Sequence, residues 1–258
     1  MRMTGKVKNK NKKKSQAAAV WRRLKKNKMA MAGLYILLFI LVASLFGPLI
    51  SIYQYDVQDY AVRSQFPSLS HLFGTDNFGR DIFSRVLAGA GTTFFISACT
   101  VTIGAVVGTL VGALTGYFGG LVDELLMRVN DAVTAFPSIL LALVFISLLG
   151  FGKYNVILAL GVAFVPSYAR VIRSEFARHR EMNYVKSARL MGAGHLRIMF
   201  LHILPNTRQV LLPTLAIGFN NAVLAEASMS FLGIGVKPPE VSLGYMMSES
   251  QSYMVRAP

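Results

Sequence analysis

The chain has 258 residues, of which 53% are hydrophobic and 15% charged, and a formal net charge of +15. A water-soluble domain carries about 25% charged residues, so this composition excludes a surface that meets water throughout. The single cysteine, Cys99, lies in an apolar run and excludes an internal disulfide framework or a cysteine metal site.

The charge is unevenly placed. Residues 1–28 hold twelve Lys and Arg and no Asp or Glu, while the remaining 230 residues carry a net +3. Such a tail could bind nucleic acid. Directly before an apolar run it more simply marks the cytoplasmic side and meets anionic lipid head groups, so membrane lipid is the expected partner and nucleic acid is not. The first apolar stretch is longer than the about 7–15 residues of a signal peptide core and reads as a retained span.

Gaps between charges give the spans. Met29–Tyr55, Val86–Val122, Ala132–Gly152, Tyr154–Ala169 and Gln209–Ala225 are free of charged residues. A spanning helix needs about 20 mostly apolar residues, which places spans near 30–53, 94–117, 133–150, 154–173 and 211–234. The Lys/Arg bias then puts 1–28 and 174–210 in the cytoplasm and 54–93 outside.

Within the second span Gly104, Gly108, Gly112 and Gly116 recur every fourth residue and stack on one helix face. A stripe of this kind lets another helix backbone approach closely. Segment 174–210 reads as two short helices. Asn183 is the expected cap of the first, Tyr184–Met191, which Gly192-Ala193-Gly194 breaks. The second is expected over His195–Leu204, stopped by Pro205-Asn206, with Leu196, Met199, Phe200 and Ile203 forming one apolar stripe. Lys186 and Arg189 of the first helix and Arg197 of the second are the polar-face candidates. The result is a compact knob suited to a groove on a soluble partner; an amphipathic hairpin lying on lipid is the alternative.

Glu226 stands in the fifth apolar segment, as a pathway or outer-gate residue or as a structurally paired one. Asp76, Arg80 and Asp81 lie in a Gly-rich outer loop, where local ion pairs and turns are the simplest role and contact with a substrate-delivery protein is the alternative. His71, His179, His195 and His202 lack metal-ligand spacing. Gly150-Phe151-Gly152-Lys153 and Gly192-Ala193-Gly194 lack the spacing of a phosphate loop. No catalytic residue, metal or cofactor is therefore expected in this chain.

The run YVKSARLMGAGHLRIMFLHILPN (184–206) resembles the cytoplasmic EAA loop of bacterial ABC importer permeases. Lys186-Ser187-Ala188 stands in the Glu-Ala-Ala place, and Gly192, Leu204 and Pro205 match, with Lys186 reversing the charge of the first residue. Segments 73–90, 116–143 and 225–244 are similar to further signatures of C-type subunits in the dipeptide, oligopeptide and nickel branch. The resemblance implies an all-α polytopic bundle of the type I importer kind. It also implies a domain over 94–258 with Tyr184, Lys186, Ser187, Ala188, Arg189, Gly192, Arg197, Leu204 and Pro205 coupling to ATPases. Implied partners are a second permease subunit, two cytoplasmic ATPase subunits that carry ATP and Mg, and an extracytoplasmic binding protein. The implied cargo is peptide, with nickel or a metal chelate as the alternative. An ion-coupled secondary transporter is a more distant alternative. Family members have a sixth span; the chain ends where it should begin, so five spans are expected, with the sixth read as truncated.

Overall fold

A computed structural model describes residues 21–22 and 24–254; most of the basic tail lies outside them. The chain divides into two units, residues 1–50 and 51–258. The first contains α1, Lys28–Ile50, whose apolar run of 20 residues has a mean hydropathy of 2.5. At 1.5 Å per residue, 23 residues reach about 35 Å, enough for a hydrocarbon core of about 30 Å.

The second unit is built on α2, Ile82–Phe118, and α5, Lys153–Arg180. α2 has 37 residues, about 55 Å, and begins twelve residues before the expected span. The Asp81 carboxylate caps it, accepting bonds from the Ser84 backbone (2.8 Å) and hydroxyl (2.6 Å). Residues 82–93, expected as part of an outer segment, are thus helix. Arg85 is accommodated in the helix because Asp76 of the preceding loop and the distant Glu249 pair with it.

Between α2 and α5 the expected third span, 133–150, is broken. α3, Gly120–Thr134, and α4, Ser138–Leu149, meet at 87°. Pro137 explains the bend, since it disfavours helical backbone at Phe136 and lacks an N–H. α4 has only 12 residues, about 18 Å, too short to cross a bilayer alone. Its Ala142 and Ile146 pack with Ile96, Leu160 and Met229 in a buried cluster.

The two helices expected in 174–210 also differ from observation. α6 is Asn183–Leu190, with extended Met182 at its N-cap; Asn183 is its first residue and makes no side-chain cap. α7 runs without interruption from His195 to Phe231, so Pro205 does not stop it. Its segment Ile198–Ile203 is π-helical, and the Leu204 N–H donates to the Met199 carbonyl five residues back. The wider register ends one position before Pro205, where a missing donor is tolerated. α8, Leu243–Gln251, was not expected; the Ser242 hydroxyl caps it by accepting the Tyr245 N–H at 3.2 Å. Among the described residues there is no strand, only an isolated bridge between Thr75 and Asp81.

Candidate functional site

The knob closes on glycine. Gly192 has φ +81°, and its N–H donates to the Arg189 carbonyl while the Ala193 N–H donates to that of Ala188, both at 3.0 Å. This pair of bonds is a Schellman motif, with Gly192 at the left-handed position. Space is not the reason for glycine there, because nothing lies within 4 Å of an added Cβ. Backbone conformation is.

The knob's underside is clamped to the bundle. Val185, Ala188, Ile198, Met199 and Ile203 are buried against Ala113 and Tyr117 of α2 and Ile172 and Phe176 of α5. His195 Nδ1 meets the Tyr117 hydroxyl and His179 Nδ1 the Tyr184 hydroxyl, each at 2.9 Å. The expected stripe is only half correct. Met199 and Ile203 point inward, but Leu196 is 69% exposed and Phe200 36%, while Ile198 takes the inner place. The π turn shifts the period, so a spacing of three and four misassigns the face.

The opposite side of the knob is open. Lys186, Ser187, Arg189, Gly192, Arg197 and Pro205 are exposed, and Tyr184 and Leu204 half-buried. Leu190, Met191 and Leu196 add a cap of exposed apolar surface at the tip. Buried underside, apolar tip and basic flank make this a rigid projection rather than a slack connector.

The glycine stripe lies against α5. A Cβ at Gly104 would sit 2.9 Å from the Phe164 Cβ, at Gly108 2.6 Å from the Tyr168 Cβ, and at Gly112 and Gly116 2.4 Å from the Ala169 and Arg173 carbonyl oxygens. The two helices approach to within backbone contact along this seam.

Glu226 is fully buried in α7. The Ser230 hydroxyl, one turn on, donates to its Oε1 at 2.7 Å, and Oε2 has no partner. The pairing it makes is therefore a single hydrogen bond from a hydroxyl, with no ion partner among the described residues.

At the other end of the unit, sequence reading missed a four-member ion cluster. Asp76 accepts from the Phe78 and Arg80 backbones at 2.8 and 2.9 Å and from Arg80 Nε at 2.6 Å. Arg85 Nη1 also bonds Asp76. Glu249 of α8 then receives Arg80 at 3.0 Å and Arg85 at 2.5 Å. The loop residues are local, as expected, but the closing carboxylate is 164 positions from Arg85. Ser242 before α8 is the one sequence signal that a cap and helix lay there.

Burial resists ionisation of Asp76, yet the Arg80 and Phe78 N–H groups and the Arg80 guanidinium outweigh it and hold its carboxyl below the ordinary 3.8. Asp81 is lowered likewise, with Ser84 and His71 overcoming burial. A depressed folded pKa gives stability that is present above the unfolded value and lost as pH falls through the folded one. Proteolytic protection of segment 59–81 in the purified protein is thus expected to hold from about pH 7 to about pH 5, with opening only below about pH 4. Opening already at pH 5 would show that these carboxylates do not hold the loop.

Residues 108–257 match the model of the binding-protein-dependent transport system inner membrane component, and residues 15–67 match that of the N-terminal TM domain of oligopeptide transport permease C. A relative from Brucella abortus named as a peptide transport system permease protein is 42% identical over 95% of this chain and 82% of its own length. The dipeptide transport system permease protein of Alkalihalophilus pseudofirmus is 37% identical over 94% of the chain and 81% of its own. The glutathione transport system permease protein of Escherichia coli is 39% identical over 92% and 79%. With these matches and its long apolar helices, the chain belongs to the family of binding-protein-dependent inner membrane components, and is an integral-membrane permease subunit of an ABC importer rather than a catalytic subunit.

Proposed function

We propose that the chain forms one half of a pathway for peptides, with a related second permease subunit forming the other. Two ATPase subunits, holding ATP and Mg, dock on the knob formed by 183–204, and an extracytoplasmic binding protein delivers cargo at the α8 end. The observation that carries this reading is the knob itself. Its underside is fixed to α2 and α5, so force applied to the tip moves the spans. The relatives named above are named for peptides, dipeptides and glutathione, which supports peptide cargo and does not favour the metal-chelate alternative.

ATP-dependent uptake of a labelled peptide by vesicles holding the complete importer tests the reading. Uptake that needs ATP and the binding protein is expected, and equal uptake without ATP would sink it.

Orientation follows from the basic tail and the Lys/Arg of 170–210. In a Cys99→Ala background on intact cells, an impermeant thiol reagent is expected to label Gln58→Cys and spare Ser187→Cys. The reverse pattern would invert the topology.

A further inference from the structure

α4, α5 and α7 enclose a groove of about 340 Å³. Its lining includes Ser138, Ser167, Asn221 and Ser228 beside Phe164 and Leu224, and no charged residue. The groove lies at membrane depth: Ser167 stands fourteen residues into α5, about 21 Å from its start. Asn221 stands seventeen residues beyond Leu204, about 25 Å farther along antiparallel α7 from that residue.

Four observations point away from lipid. The side chains of Ser138, Ser167 and Asn221 make no hydrogen bond to other described residues. Asn221, Ser167 and Ser228 are exposed on this surface rather than turned into the core. Polar groups without partners are costly against hydrocarbon, so a wall carrying several at one depth faces water or a polar guest. The backbone adds to the set. Pro166 cannot donate to the Val162 carbonyl, freeing an acceptor one residue from the groove. The bend at Pro137 leaves the first N–H groups of α4 without intrahelical partners at Ser138.

We propose that this groove is the stretch of wall along which a peptide backbone passes, held by uncharged donors and acceptors. The proposal rests on the peptide reading above. Amide and hydroxyl groups match the N–H and C=O that every peptide repeats. The absence of charge in the lining gives no preference among side chains, so transit through this wall is indifferent to the charge of the cargo and selection belongs to other components.

The test measures uptake of an acidic, a neutral and a basic peptide of equal length by vesicles holding the complete importer. Selectivity of the delivering protein is removed by comparing each variant's acidic-to-basic ratio with that of wild type. Asn221→Asp keeps the shape and adds one negative charge. It is expected to lower the ratio on the order of tenfold, while Asn221→Gln leaves it unchanged. An unchanged ratio in Asn221→Asp overturns the groove assignment; failure of the wild type to take up any peptide overturns the peptide reading instead. Should Asn221→Asp fail to assemble, Ser167→Cys in the Cys99→Ala background decides. A water-soluble thiol reagent is expected to modify it, with peptide and ATP slowing the reaction. No modification, or a rate that cargo does not alter, would place the groove off the path.

Discussion

Gly108→Leu is expected to abolish assembly of the permease. A Cβ alone at this position lies 2.6 Å from the Tyr168 Cβ, 2.7 Å from the Val165 carbonyl oxygen and 3.0 Å from the Ala169 nitrogen. Two of those atoms are backbone and cannot rotate away. The remaining leucine atoms need still more room, so α2 and α5 must part along the whole seam from Gly104 to Gly116. Overpacking typically costs about 1–3 kcal/mol where side chains can shift. Here they cannot, and water supplies no compensating drive to re-form a helix pair in lipid, so the cost should exceed about 3 kcal/mol. Val106→Leu is the control, since Val106 on the same helix is 55% exposed. The readout is the amount of chain in the membrane fraction and its retention with the second permease subunit in mild detergent. Wild-type levels of both in Gly108→Leu would remove the seam as the organising contact of the unit.

That seam was legible because its signal is local and periodic: four glycines at a spacing of four have one geometric meaning on a helix. Gly192 was legible for a similar reason, as a lone breaker between two apolar patterns whose φ proved positive. Charge gaps located the spans but misplaced their ends. A helix end is set by capping and pairing, and Arg85 is paired inside a helix with Asp76 of the preceding loop and with Glu249, which adjacent sequence does not reveal. The break at Pro137 was obscured because the apolar run continues across it, and hydropathy reports transfer free energy, not direction. The π segment was invisible. Nothing in Ile198–Ile203 distinguishes it from a regular helix, and only the bond from Leu204 to Met199 shows why Pro205 fits and why Leu196 faces out. Glu226 could be singled out but not interpreted, because its sole bond, to Ser230, leaves one oxygen without a partner.

The knob carries the other large effect. Gly192→Val is expected to leave the two permease subunits assembled while ATPase retention falls on the order of tenfold or more. The site has open space, so no clash arises; what fails is φ +81°, which a β-branched residue adopts at high cost. The Schellman bonds to Arg189 and Ala188 are then lost, and the tip bearing Leu190 and Met191 turns away from its place above the clamped underside. A second variant separates tip position from tip chemistry. Met191 is 80% exposed, so Met191→Asp removes apolar contact area without disturbing Val185, Met199 or Ile203 beneath. Both variants should yield normal amounts of permease pair, weak co-purification of the ATPases, and peptide-stimulated ATP hydrolysis reduced together with uptake. Lys186→Glu marks the electrostatic part: if the partner groove is acidic opposite this exposed basic flank, reversing the charge weakens retention at low salt, and the loss shrinks as salt screens it. If Gly192→Val and Met191→Asp both keep wild-type ATPase retention and coupled uptake, the knob is not where force enters the spans. Its buried underside would then be only a means of closing the knob end of the α2 and α5 pair.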